Sequence, residues 1–201
     1  MTTGSIAITR QKAAPSKGGT ALSAEGETSL VARAKRGDEA AISQLYRQHA
    51  PAIYGYVASR VSDPAVADDL TSEVFLRALE GLPRFEYRGI PFSAWLYRIA
   101  HDRMVDHFRQ QARRPTMPLE NELLSVQDEI EQEVDTRLRV QQLREAIDQL
   151  TAEQHQVILL RFNAGLKLKE VAYVMNKSVE AIKMLQWRAL ARLKQLTAPT
   201  S

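Results

Sequence analysis

The chain has 201 residues, 44% of them hydrophobic, with 27 Lys and Arg against 24 Asp and Glu for a net charge of +3. That length allows one or two small domains with real cores, and the near balance of charge argues only weakly for a polyanionic partner. Cysteine is absent, which excludes disulfides and thiolate metal sites. No apolar run approaches a membrane span and the N-terminus lacks a signal-peptide core, so the expected setting is soluble and cytoplasmic.

In chain order, residues 1–27 are rich in Thr, Ser, Gly, Ala and Lys without a sustained period, the composition of a disordered tail. Thr28 is a plausible N-cap for a short helix ending at Arg36-Gly37. Asp38 is placed to cap a helix from Glu39 to about Val61, with Ile42, Leu45, Tyr46, Ile53, Tyr56 and Val57 at helical spacing and Pro51 as a possible kink. Ser62-Asp63-Pro64 breaks the pattern and puts Pro at the first position of a third helix. That helix carries Val66, Leu70, Val74 and Ala78 on one stripe, with Phe75 and Leu79 beside it. Asp68, Asp69, Ser72, Glu73, Arg77 and Glu80 lie opposite, and Gly81-Leu82-Pro83 ends it.

A loop from Pro83 to Pro91 leads into a long helix over about Phe92–Ala112. Between Arg84 and Arg114 aromatics (Phe85, Tyr87, Phe92, Trp95, Tyr97, Phe108) alternate with cations (Arg84, Arg88, Arg98, Arg103, Arg109, Arg113, Arg114) more densely than elsewhere. Single-stranded nucleic acid is the partner that uses such a mixture, because cations follow phosphates while aromatic faces accept unstacked bases. The competing reading is an amphipathic helix whose aromatics are core, with Trp95, Leu96, Ile99, Met104 (or Val105) and Phe108 as the buried stripe.

Pro115 and Pro118 break that helix. The following stretch to Asp135 holds seven acids and no Lys or Arg, which reads as a linker. Helical pattern resumes near Val134, with Leu138, Leu143, Ile147 and Leu150 on one face. Thr151 with Gln154 three residues on is a capping box. The helix it opens carries Val157, Leu160 and Ala164, and ends at Asn163-Ala164-Gly165. From Arg139 to Lys194 ten basic residues face five acidic ones. A helix over Leu168–Met175, a turn at Asn176-Lys177 and a Ser178-capped helix to about Leu196 form a helix-turn-helix, whose second helix enters the major groove of duplex DNA. Glu180, Lys183, Met184, Trp187, Arg188 and Lys194 fall outside its core stripe, although Trp187 is expected to pack on the preceding helix. Strand signal is weak throughout, so the chain is expected to be all-α: two small helical domains joined by a flexible acidic linker.

Enzyme chemistry finds little support. The four histidines are scattered outside metal-ligand spacings, and no phosphate-cradling Gly loop or nucleophile elbow is present. Asp102 and Asp106 share a face, but beside Arg103 and Arg109 they read as surface ion pairs. No catalytic residue, metal or cofactor is expected.

The succession DDLTSEVFLRAL, FSAWLYRIAHDRMVDHFR, acidic linker and LTAEQHQVILLRFNAGLKLKEVAYVMNKSVEAIKMLQWRALARL resembles the extracytoplasmic-function (ECF) sigma factors, the two-domain group of the bacterial sigma-seventy family. The resemblance implies a region-two-like domain over residues 28–114, a linker over 115–135 and a region-four-like helix-turn-helix domain over 136–197. It implies that the Asp69-Leu70…Glu73-Val74-Phe75 helix docks on the β′ clamp of core RNA polymerase through its polar side, Asp68, Asp69, Ser72, Glu73 and Arg77, while the apolar members serve the core. It assigns melting of the minus-ten element and capture of an unstacked base to Arg84, Phe85, Tyr87, Arg88, Trp95, Arg98 and Arg109. The linker matches the segment threaded toward the polymerase active-site cleft. The helix-turn-helix matches the reader of the minus-thirty-five element, with Lys177, Ser178, Glu180, Lys183, Met184 and Arg188 as contacts, leaning on the β flap. An anti-sigma factor clamping between the domains is a further implied partner.

The chain departs from the commoner family pattern in three places: Ser72 for Gln, His101-Asp102 for Arg-Asn, and Lys183-Met184-Leu185-Gln186 for Lys-Ser-Arg-Leu. Two rival readings are a stand-alone helix-turn-helix regulator, its N-terminal domain a sensor or dimeriser, and an interaction protein that binds polymerase or an anti-sigma factor without driving a promoter.

Overall fold

The computed structural model describes residues 24–113 and 134–197. The expected tail up to residue 23 and the stretch 114–133, which holds most of the expected linker, therefore lie outside the described residues. Within them the order is α1 (Ala24–Ala34), α2 (Glu39–Ala58), α3 (Pro64–Gly81), a 3-10 turn (Leu82–Arg84), α4 (Phe92–Arg113), α5 (Val134–Asp148), α6 (Ala152–Ile158), a π turn (Leu159–Asn163), α7 (Leu168–Met175) and α8 (Val179–Leu196). The described residues contain no strand, and the all-α expectation holds.

Local chemistry accounts for most of the helix ends. Asp38 accepts from the Ala41 N–H and Asp63 from the Ala65 N–H, with Pro64 opening α3 where its missing N–H costs nothing. Thr151 and Gln154 complete the capping box of α6 in both directions. Asn176 ends α7 at φ 53°, the left-handed region that Asn tolerates better than other side chains. Pro51 lies inside α2, which runs on to Ala58.

In the first body the structure departs from expectation at the first helix and in the fourth. Thr28 does not cap α1, which begins upstream at Ala24. The reason is tertiary: Glu27, in the first turn, reaches His49 on α2 and Tyr87 beyond α3, so the early turn is held against the domain. On α4 the buried positions are Phe92, Ala94, Leu96, Tyr97, Ala100 and Met104, so Phe92 and Tyr97 replace Trp95 and Phe108 in the expected core stripe. Trp95, Ile99 and Phe108 pack only partly buried against it.

The two helical bodies, α1–α4 and α5–α8, meet where α4 lies on α7. Ile53, Val57, Val74 and Leu96 from the first and Leu160, Val171, Val174 and Ile182 from the second belong to one buried apolar cluster. Fully burying side chains of this kind stabilises by about 2 kcal/mol each, and the cluster runs without a break from one body to the other. A smaller cluster of Leu150, Ile158 and Ala189, with Leu193 against it, ties α6 to α8. Leu143, expected on the buried face with Leu150, is exposed; Ala146 is buried in its place, and Leu150 is buried as expected.

Candidate nucleic-acid interface

The polar side of α3 is open. Asp68, Asp69, Ser72, Glu73 and Arg77 are all exposed, while Leu70, Val74 and Phe75 are buried as expected. Glu73 Oε2 lies 3.4 Å from Arg103 Nε, and Arg103 Nη2 is 3.4 Å from Asp106 on its own helix, so α4 steadies one carboxylate of this surface. Leu76 and Leu79 are also exposed here, giving the face an apolar strip that the stripe analysis did not foresee. Beside it, Ile42, Tyr46, Phe75 and Leu79 line a shallow groove between α2 and α3.

The seven residues expected at melted DNA fall into different surroundings. Arg84, Tyr87, Arg88 and Arg109 are exposed. Arg88 turns back onto Glu86 at 2.7 Å. Phe85 is only 7% exposed and sits at the centre of an aromatic cluster, its ring centroid 5.0 Å from Tyr87, 5.5 Å from Phe92 and 4.9 Å from Trp95. Edge and tilted geometries at such distances add about 1 kcal/mol per pair beyond burial. Trp95 is half-buried and lies against Gly81, where a Cβ would come within 3.0 Å of its Cζ2. In this conformation Phe85 and Trp95 pack on the protein and on each other.

Arg98 is held still more firmly. Its Nη1 donates to the Tyr173 carbonyl on α7, its guanidinium carbon lies 5.4 Å from the centroid of the Tyr173 ring, and its Nε is 3.3 Å from Asp102. The same seam carries a polar trio, with Tyr56 and Gln156 buried and His101 partly so. Gln156 Nε2 donates both of its hydrogens, one to the Tyr56 hydroxyl at 2.6 Å and one to His101 Nδ1. An amide nitrogen can only donate, so this arrangement suits a neutral His101 ring that accepts at Nδ1. Burial pushes the imidazolium down, with Arg98, Arg60 and Lys177 adding to it against the opposite pull of Asp102. Burial likewise pushes the Tyr56 phenol far up. Arg60 crosses the seam too: its Nη1 donates to the Ala152 carbonyl at 3.0 Å, with its guanidinium 5.8 Å from the Phe108 ring centroid. The sequence reading missed Arg60, Gln156 and Tyr173, and it placed Tyr56 only as an apolar stripe position of α2. The one visible hint was His101, standing where the family pattern has a cation.

On the helix-turn-helix, Glu180, Lys183, Met184 and Arg188 are exposed along α8 as the spacing predicts. Ser178 spends its side chain on the N-cap, accepting from the Ala181 N–H at 3.1 Å. Lys177 is half-buried and paired with Glu153 at 2.8 Å. Trp187 is 67% exposed and does not pack on the preceding helix. Its neighbour Gln186 faces inward instead and accepts from Arg161 Nε at 3.2 Å.

Two family matches cover this architecture: Sigma-70 region 2 over residues 45–114 and Sigma-70 region 4 over residues 146–195. The chain is 39% identical over 170 residues to the ECF RNA polymerase sigma factor BldN of Streptomyces coelicolor, covering 83% of this chain and 64% of that protein. It is 33% identical over 171 residues to the ECF RNA polymerase sigma factor SigD of Mycobacterium tuberculosis, covering 82% and 81%. Among solved structures it resembles CnrH in complex with the cytosolic domain of CnrY, at TM-score 0.64 and 27% identity over 87% of this chain and 99% of that one. It shares its fold with the sigma factor RpoE bound to the anti-sigma factor NepR from Bartonella quintana, at TM-score 0.59 and 22% identity over 79% and 98%. With region 2 on α2–α4 and region 4 on α5–α8, the chain belongs to the ECF sigma factors of the sigma-70 family.

Proposed function

We propose that this chain is a promoter-specificity subunit that directs core RNA polymerase to particular promoters and helps melt them. The observation that carries this reading is the presence of both sigma regions in one chain, in order, with the region 4 recognition helix presenting Lys183, Met184 and Arg188 to solvent. The exposed acids Asp68, Asp69 and Glu73, with Ser72 and Arg77, suit docking on a basic β′ clamp surface, and the apolar strip of Leu76 and Leu79 adds the desolvated area that such a contact needs. Loop 84–91 and α4 would hold the melted minus-ten strand through Arg84, Phe85, Tyr87, Arg88, Trp95, Arg98 and Arg109. Helix α8 would read the minus-thirty-five duplex and lean on the β flap, with the acidic linker threaded toward the active-site cleft.

Such a protein carries no chemistry of its own, because bond formation belongs to the polymerase and melting is driven by binding. It would act in the cytoplasm. An anti-sigma partner fits as well, since relatives of this fold are found bound to such proteins. Run-off transcription with purified core polymerase on a promoter library tests the reading. Initiation that depends on the protein is expected, and failure to bind polymerase would overturn it.

A further inference from the structure

Loop 84–91 is short of backbone support. Among the described residues its own internal backbone hydrogen bond beyond the 3-10 turn is Arg88 N–H to Glu86 O at 2.9 Å, and Gly89 takes φ +76°. Besides the Arg88–Glu86 pair and the packing of Phe85 on α4, two further polar ties come from residues 27 and 35, in and just past α1, outside the matched region 2 segment. Lys35, one residue past α1, donates from Nζ to the Phe85 carbonyl at 2.8 Å, across fifty residues of sequence. Glu27, in the first turn, accepts from the Tyr87 hydroxyl at 3.5 Å through Oε2. Its other oxygen is 3.4 Å from His49 Nε2, a buried atom with no hydrogen-bond partner of its own, on a ring that stands edge-on to Phe92. Burial, then the Glu27 charge, pushes the Tyr87 phenol up to about 12, so it stays protonated and able to donate. Helix α1 is itself fixed by the buried Leu30, Val31 and Ala34.

We propose that Lys35 and Glu27 are positioning residues that clamp loop 84–91 at Phe85 and Tyr87 and so set which unstacked base the loop accepts. The proposal rests on the reading of this loop as the minus-ten base receptor. Lys35 fixes the backbone at the point where Phe85 turns inward to the aromatic cluster, and Glu27 fixes the rim where Tyr87 emerges. A charge-assisted bond to a single carbonyl is the stronger of the two ties, and Lys35 carries most of the effect.

The test has two readouts on Lys35→Met, which keeps the stem and removes the donor, with Lys35→Arg as the conservative variant. In the free protein, amide exchange over residues 85–90 is expected to speed up roughly tenfold in Lys35→Met and to return toward the original rate in Lys35→Arg. In holoenzyme, binding to single-stranded minus-ten oligonucleotides varied at each position should lose roughly tenfold for the preferred base and much less for the others. Glu27→Gln should do the same more weakly. If Lys35→Met weakens all oligonucleotides equally, with the salt slope reduced by about one, Lys35 is a phosphate contact and the clamp is overturned. Unchanged exchange with unchanged base preference overturns it too. Faster exchange in the free protein, together with an unsubstituted holoenzyme that shows no base preference, leaves the clamp standing and removes the base-capture reading instead.

Discussion

The two surfaces proposed to meet DNA are built in opposite states of readiness. On α8 the side chains that would read a duplex stand free, and the polar groups that are engaged, Ser178 and Lys177, serve the turn that aims the helix. On the region 2 surface the groups best suited to single strands are already occupied: Phe85 by its aromatic neighbours, Trp95 by Gly81, Arg88 by Glu86 and Arg98 by Tyr173. The contrast follows from what each partner looks like. A B-form groove is present before the protein arrives, so its reader can be rigid. An unstacked base exists only after melting, and aromatic faces left bare until then would be an exposed apolar patch.

This contrast can be attacked from several sides, beginning with the largest expected change. Trp95→Ala should lower stability by about 2 kcal/mol, below the usual cost for a fully buried Trp because the ring is half-buried. An unchanged denaturation midpoint would show the indole to be a free DNA contact and erase the difference between the surfaces. Gln156→Ala removes the partner shared by Tyr56 and His101, and should cost about 1–3 kcal/mol because one buried and one partly buried group lose their hydrogen bond. The same substitution should widen the free chain in small-angle scattering; a chain equally compact and equally stable would mean that the trio does not hold the seam.

Acidification gives a smaller and graded effect. His101 and His155 both have their imidazolium disfavoured below the ordinary value of 6.5, each chiefly by burial. A lowered folded-state value means the unfolded chain takes up protons first. The stabilisation is therefore complete above about pH 6.5 and fades as pH falls below it. Thermal melts on either side of that value measure this, and His101→Gln should flatten part of the difference. At the other extreme, Arg188→Ala should leave stability within about 0.5 kcal/mol and still weaken duplex minus-thirty-five binding roughly tenfold. A matching loss of stability would place Arg188 in the fold and blur the comparison from the other end.

Much of the scaffold could be read before any coordinates. Asp38, Asp63-Pro64, Thr151 with Gln154, and Ser178 are local signals, and each starts its helix where local hydrogen bonding says it should. The outward positions of α8 followed from spacing alone. What stayed hidden was decided between elements. Whether Trp187 or Gln186 faces inward depends on Arg161 being there to meet the amide. The early start of α1 depends on His49 and Tyr87. The seam depends on side chains a hundred residues apart, Tyr56 and Gln156, whose pairing no periodicity announces. The π turn at Leu159–Asn163 likewise left no mark in the apolar pattern.

The shared apolar cluster beneath α4 and α7 has a thermal consequence. If Arg98 is to reach a DNA strand, it must leave Tyr173 on α7, and parting α4 from α7 would open the apolar cluster that the two helices share. Water gathering on that surface raises the heat capacity of the open form. Polymerase binding should therefore show a smaller negative heat-capacity change than its docked area alone would give, because one apolar contact opens as another closes. And since apolar attraction weakens on cooling, the hydrophobic part of the seam grips least tightly in the cold.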